Sequence, residues 1–540
     1  MKAGGLALAK KDNVSAHHEM ADDGGHVLPS KLSPDGLLIG YSLDEELHRP
    51  IMGFQFGDAI EDEDADDGML EPILHTGDGH LITLARTGAG KGVGCIIPAL
   101  LRYRGPAIVI DPKGENYQVT ARRRREMGHE VRVLDPFGVT STQTDALNPL
   151  DLINPRSPEA IDDAAQLAEL LVAASSNRDP FWDSRAYSLV TTMLLFVASA
   201  RPPVLRNLGE LHYLLNQSPT DMDFTFKEMA RSPLSAVQQG CAVKETAEAK
   251  VWASILSTAQ AHTDFLRSAG AHAAIGQSTI DLNHITSGKP LSIYIVVPPE
   301  KLESHGKLLR LWIGVLMSAI TRRNRRPDLP TLFVLDEAAQ LGELKQLRQA
   351  ITLLRGYGLR IWSFWQDLSQ LKMLYPRDWQ TMINNCEVLQ SFGFANASVA
   401  RSGSELTGYP DWQALQDLEY EEMVVALAGD RPIIARKPNY LKDPAFTGQF
   451  DANGFYSDEP MGEVHEFPRP SIAEPKSSLA ELKRARERER CAAQASGAPG
   501  SPGIAKPKAG EPLDKKFDLS GDRFAAPDDI PNPFKKDDKN

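Results

Sequence analysis

The 540-residue chain is poor in cysteine: Cys95, Cys241, Cys386 and Cys491 are scattered, with no Cys-x-x-Cys. That spacing indicates neither a disulfide framework nor a zinc site. Long apolar runs are also missing. The best two, SLVTTMLLFVASA (188 to 200) and LLRLWIGVLMSAI (308 to 320), fall short of the roughly 20 residues that span a bilayer and read as buried helices. The opening MKAGGLALAKKDN has too small an apolar stretch for a signal peptide. The expectation is a cytosolic chain without transmembrane helices. A basic excess is absent too, since the net charge is -13, which at first argues against nucleic acid. The acid is local, however. Residues 1 to 70 hold 15 acidic and 5 basic side chains, so the other 470 residues carry only -3. Much of it lies in GDAIEDEDADDG (57 to 68), read as a solvated acidic loop.

What is present begins at TLARTGAGKGVG (83 to 94). The stretch departs twice from the phosphate-loop pattern G-x-x-x-x-G-K-[ST], with Ala85 for the first Gly and Gly92 for the final hydroxyl residue. Its context decides. HLITLA (80 to 85) alternates like a strand, Gly88 and Gly90 permit a tight turn, and GVGCIIPALLRY (92 to 103) has helical apolar spacing. A strand, a turn and a helix N-terminus are what anchor an anion. PAIVID (106 to 111), NYQVTARRRREMG (116 to 128) and EVRVLD (130 to 135) continue as strand, helix and strand, the start of a parallel sheet.

With no hydroxyl at Gly92, a Mg²⁺ site needs a carboxylate from elsewhere. TLFVLDEAAQLG (331 to 342) supplies one, because its apolar strand runs into Asp336 and Glu337. Asp at such a place also caps helices. Paired with the loop at Lys91, the reading here is that Asp336 holds Mg²⁺ through its water shell and Glu337 orients or deprotonates the attacking water.

The chain divides into an irregular acidic N-terminal segment (1–74), the first part of a nucleotide-binding domain (75–152), an all-α inserted domain (153–275), the second part (276–455) and a flexible charged tail (456–540). LSIYIVVP (291 to 298), RIWSFWQD (360 to 367) and EVLQSFG (387 to 393) read as further strands, and MVVALAG and PIIARKP as a hairpin around Asp430 and Arg431. The basic runs RRRR (122 to 125) and RRNRR (322 to 326) fit either solvated faces or nucleic-acid contacts, and charge alone leaves both open.

Together ARTGAGKGVG, VIDPKGEN (109 to 116), FWDSRAYSL (181 to 189), FVLDEAAQLG, IWSFWQDLSQL (361 to 371) and IIARKPNYLKDPAF (433 to 446) resemble the type IV secretion coupling proteins of the VirD4/TraG group. The resemblance implies an α/β, RecA-like P-loop NTPase domain with a mostly parallel sheet, interrupted by an inserted all-α domain. It implies a ring, usually hexameric, at the cytoplasmic face of the bacterial inner membrane, which uses ATP and Mg²⁺ to bring relaxase-bound, single-stranded DNA, or protein effectors, to a secretion channel. Residue by residue, it places the triphosphate on the loop Thr87, Gly88, Ala89, Gly90, Lys91, Gly92 and Val93, with Lys91 on the β and γ oxygens. Asp336 and Glu337 match the second nucleotide motif, and Gln366 matches a residue that senses the γ-phosphate. Asp111, Lys113 and Glu115 are expected to line the site, and Arg355, Arg360 and Arg401 are candidate arginine fingers. Family members commonly begin with transmembrane helices and none is read here, so either a membrane-anchoring partner recruits the chain, or it belongs to a soluble minority, or it acts on DNA without a membrane channel. Two alternatives remain: a cytosolic docking receptor that uses ATP mainly to assemble, and a DNA translocase of the FtsK/HerA type.

Overall fold

The computed structural model describes residues 27–33, 36–43, 51–57, 69–140, 143–172 and 180–454. The tail expected at 456–540, and all but the first residue of the acidic stretch at 57 to 68, lie outside them.

Among the described residues twelve strands form one sheet: β1 (Leu37–Ser42), β2 (Phe54–Phe56), β3 (Pro72–His75), β4 (His80–Ala85), β5 (Ala107–Ile110), β6 (Glu130–Leu134), β7 (Leu291–Ile295), β8 (Thr331–Leu335), β9 (Leu359–Trp365), β10 (Cys386–Phe392), β11 (Glu422–Leu427) and β12 (Ile433–Arg436). Their order is β2-β3-β1-β12-β11-β10-β4-β9-β8-β5-β7-β6. From β10 to β6 every pairing is parallel, and from β10 back to β2 every pairing is antiparallel. The parallel strands are apolar nearly throughout, as β8 TLFVL and β5 AIVI show, because covering elements bury both of their faces.

Between β6 and β7 the described residues form helices and no strand, from Ala160–Leu171 through the long helix Pro180–Ala200 to Leu282–Thr286. These helices do not keep a core to themselves. One contiguous apolar cluster joins Leu189, Met193 and Phe196 of Pro180–Ala200 to Trp312 and Leu316 of the helix Pro299–Thr321 and to Ile108 and Phe333 of the sheet. Burying each such side chain is worth about 1.5–3 kcal/mol. Trp312 also uses its polar edge, donating from Nε1 to the Leu147 carbonyl at 3.1 Å.

Register at the sheet centre is set by a buried polar chain. Trp362 Nε1 donates to Thr83 Oγ1 at 2.8 Å, and Thr83 Oγ1 donates to Gln390 Oε1 at 2.8 Å, linking β9, β4 and β10. A slip by one residue would bury these groups unpaired.

The N-terminal segment departs from its expectation. LLIGYS and FQF, expected within an irregular lead-in, are strands that extend the sheet beyond β12. The six residues of β1 are buried on both faces, so the alternation that betrays a half-exposed strand is absent there.

Candidate functional site

The phosphate-loop sequence follows β4, and Asp336 and Glu337 follow β8. β9 lies between those strands and pairs with both, Leu84 opposite Trp365 and Leu335 opposite Ser363. Three strand ends therefore deliver the loop, the carboxylate pair and Gln366 to one edge of the sheet. This is the C-terminal edge, where open α/β sheets bind ligands.

The loop has the shape an anion requires. Gly88 and Gly90 take φ of +81° and +90°, a region other residues rarely adopt. Thr87 and Gly88 are exposed, while Ala89 is buried. After Lys91 the chain makes one wide helical turn, Gly92–Ile96, before α1 (Ile97–Arg102). Pro98 has no N–H to give to the Gly94 carbonyl, which disfavours a regular α turn at that point. A Cβ on Gly92 would meet nothing within 4 Å, so the loop mouth is open where the usual pattern carries its hydroxyl.

Lys91 Nζ donates to Glu337 Oε2 at 3.2 Å, and Gln366 Nε2 donates to Glu337 Oε1 at 3.2 Å. Lys91 and Glu337 are only 10% and 15% exposed, so the pair is shielded from solvent. Burial pushes Asp336 up to about 6; Lys91 opposes that rise, and Glu337 and Glu115 add to it. Asp111 sits beside Asp336 at the end of the neighbouring strand β5. It accepts from the Tyr117 backbone N–H at 2.9 Å and from Asn116 Nδ2 at 3.2 Å, at the start of α2 (Glu115–Glu126). Burial drives it up to about 7 against those hydrogen bonds. Asp111 thus anchors a helix beside Asp336, whereas Lys113 is exposed and lies 3.7 Å from Glu115.

A buried lysine near this edge had no role assigned in the sequence. Lys437, just after β12, is 4% exposed and donates from Nζ to the Ala89 carbonyl at 3.0 Å. The rings of Phe392 and Tyr420 flank its ammonium at 4.3 and 4.6 Å, and burial lowers its pKa to about 8. The segment around it straps the loop and its helix: Tyr440 N–H donates to the Val93 carbonyl at 3.4 Å, and a Cβ on Gly94 would lie 3.1 Å from the Pro438 oxygen. The signal was the closing motif IIARKPNYLKDPAF, which carried the family resemblance without a function of its own.

The three candidate fingers have different fates. Arg360 is 2% exposed with its guanidinium 5.6 Å from the Tyr103 ring centre, so it does not present a cation to a neighbouring subunit. Arg355 binds Asp78 at 2.6 Å and also Glu387, at the strand N-terminal edge, away from Lys91. Arg401 is exposed, 4.5 Å above the Trp412 ring.

A Mg²⁺ ion fits this donor set in the form that keeps most of its waters, with Asp336 offering a carboxylate at the end of β8 beside Glu337, the carboxylate that Lys91 holds. Among the described residues no cluster of three or more His, Cys, Asp or Glu forms a dedicated metal cage. No described helix is long and apolar enough to cross a membrane.

Comparison with known proteins adds the kinship. Conjugal transfer protein TraG of Escherichia coli is 26% identical over 364 residues, 63% of this chain and 57% of that protein. A second TraG of Escherichia coli is 24% identical over 450 residues, 71% and 70% of the two chains, and protein VirD4 of Rhizobium radiobacter is 28% identical over 312 residues, 55% and 43%. The chain thus spans about half the length of the first and third of these relatives. The bacterial conjugative coupling protein TrwBdeltaN70 in complex with sulphate shares the fold with a TM-score of 0.53 and 17% identity, over 67% of this chain and 85% of that one. TrwB in complex with ADP and Mg²⁺ gives 0.52 and 18%, over 67% and 84%. Residues 54–414, two thirds of the chain, match the family described as Type IV secretory system Conjugative DNA transfer, and the protein belongs to that family.

Proposed function

We propose that this chain is the ATP-driven coupling protein of a type IV secretion or conjugation system, which recruits relaxase-bound DNA, or protein substrates, to the transfer channel. The observation that carries the reading is the meeting of Lys91, Glu337 and Gln366 at three adjacent strand ends.

Lys91 offers one ammonium to divide between Glu337 and a phosphate. A triphosphate seated on the backbone N–H groups of residues 87 to 93 takes that ammonium on its β and γ oxygens and leaves Glu337 free to orient and deprotonate water. Gln366, bound to the other Glu337 oxygen, reports the change to β9. Mg²⁺, held by Asp336 through water, would neutralise phosphate oxygens and the charge that develops on them. Positioning and electrostatic stabilisation supply most of the rate in this chemistry. An arginine from a neighbouring subunit completes the site in a ring, with Arg401 the candidate to reach across, since it is exposed while Arg355 is held by Asp78 and Glu387.

Attachment to the cytoplasmic face of the inner membrane, through an anchoring partner or the channel itself, belongs to the same proposal. A second reading, a docking receptor that uses ATP mainly to assemble, draws on Gly92, which brings no hydroxyl to the metal. Phosphate release from Mg-ATP by the purified chain, compared with Lys91→Ala, tests the enzyme. Turnover confined to the unaltered chain supports it; equal turnover in the variant places the active site elsewhere.

A further inference from the structure

Two concavities of the molecule lie away from Lys91. One, of about 400 Å³, is lined by Arg326, Arg355 and Arg360. A second, of about 870 Å³, shares Arg326, Asp328 and Leu329 with it and adds Arg104, Arg322 and Arg325. The two join into a groove, and several lining loops lead directly into parallel strands: Gly105 and Pro106 into β5, Pro290 into β7, Leu329 and Pro330 into β8, and Asp78 into β4. The groove therefore crosses the N-terminal ends of the strands, opposite the edge that carries Lys91.

Its charge runs against that of the chain. Six arginines line the two cavities against three carboxylates, Asp78, Asp328 and Glu387, in a protein of net charge -13. Three of the six are held internally: Arg326 and Arg355 by Asp78, and Arg322 by Asp163. The other three are not. Arg104 is exposed and has no carboxylate partner among the described residues. Arg325 is 89% exposed and reaches only the equally exposed Asp328, at 3.8 Å. Arg360 is 2% exposed and lines the cavity, with Nε and Nη1 lacking hydrogen-bond partners. A buried guanidinium with unmade hydrogen bonds is costly, and an oxyanion relieves that cost best.

The other basic run behaves differently. Arg124 is buried and spends its guanidinium on the Leu100, Tyr103 and Gly105 carbonyls, and Arg122 pairs with Glu126 and Asp451. Of the two runs that the sequence left open, RRNRR lines the groove, through Arg322, Arg325 and Arg326.

We propose that this groove binds the phosphodiester backbone of a nucleic-acid strand. The inference rests on the reading of the chain as a DNA-transfer protein and gives that cargo a site separate from the nucleotide's. Arg104 and Arg325 hold phosphates at the rim, and Arg360 is the internal cation that the backbone approaches. Such contacts carry no sequence preference.

The test is binding of a labelled oligo(dT) strand across a salt series. Removing two phosphate contacts flattens the slope of log affinity against log salt by about 1.4, and weakens binding about 25-fold near 0.1 M salt. Arg104→Ser combined with Arg325→Ser should show both effects. Ser287→Glu, which adds a negative charge at an exposed position lining the groove, should weaken binding independently. Arg125→Ser removes one exposed positive charge from the other run and should stay within about twofold of the unaltered chain if distant charge is screened. Unchanged DNA affinity in both groove variants overturns the groove while leaving the DNA-transfer reading intact. An equal loss in Arg125→Ser makes the effect one of bulk charge and also overturns the groove. No binding of the strand by the unaltered chain removes the groove and the DNA cargo together.

Discussion

Lys91 Nζ and Gln366 Nε2 hold opposite oxygens of the same carboxylate, each at 3.2 Å from Glu337. One side chain thus ties the phosphate loop to the two neighbouring strand ends. If Glu337 handles the attacking water, Glu337→Gln keeps a similar shape and loses the base. ATP should still bind, and hydrolysis should fall by about 10²–10⁴, the usual share of general-base catalysis. Single-turnover measurement with prebound ATP separates the two effects. A normal single-turnover rate would falsify the role of Glu337.

Gly92 is open to a side chain, with nothing within 4 Å of its Cβ position. Gly92→Ser should therefore fold without strain and restore the hydroxyl that commonly ligates Mg²⁺ at this place. The expected result is half-maximal hydrolysis at a lower Mg²⁺ concentration. An unchanged Mg²⁺ dependence would show that the hydroxyl does not point at the metal.

Lys437 acts on the nucleotide only through the Ala89 carbonyl, which makes it a positioning residue. A charged hydrogen bond of this kind is worth about 1.5–3 kcal/mol, so Lys437→Met should weaken ATP binding about tenfold to a hundredfold. Lys437→Arg should recover part of the loss. If Met and Arg variants bind ATP equally to the unaltered chain, the strap does not hold the loop in its binding shape.

The strands that bear the site were legible because each ends on a chemical marker. HLITLA, TLFVL and the core of RIWSFWQD run straight into the phosphate-loop sequence, Asp336 and Gln366, and the observed β4 has the expected bounds. The hairpin around Asp430 and Arg431 also forms as expected, with β11 and β12 antiparallel. Two features were not legible. β1 is buried on both faces and sits among polar neighbours, so no periodicity flagged it. Lys437 lies far from the loop in sequence and reaches it only because β12, β11 and β10 bring the chain back beside β4. Contacts of that range depend on strand order, which spacing does not encode.

Two histidines near the N-terminal edge predict an acid sensitivity. Burial lowers both His75 and His80 to about 4, and His80 Nδ1 accepts the Ile361 N–H at 3.0 Å, which requires that nitrogen to be unprotonated. Above the ordinary histidine value of about 6.5 both folded and unfolded chains keep them neutral. As pH falls toward 4 the unfolded chain gains protons first, so stability drops through that window. Each histidine should cost about 2 kcal/mol between pH 7 and pH 5. Urea unfolding at the two pH values measures it, and His80→Asn should remove part of the slope. A slope that is unchanged in that variant would mean that other groups carry the acid sensitivity.

If the Lys91 site drives work on DNA, as proposed, its turnover responds to DNA. The measurement that tests it most directly is steady-state ATP hydrolysis by the purified chain with and without single-stranded DNA, alongside Lys91→Ala. Turnover should rise with DNA and vanish in the variant. ATP binding with no turnover, unmoved by DNA, would contradict it and leave the docking receptor as the better description.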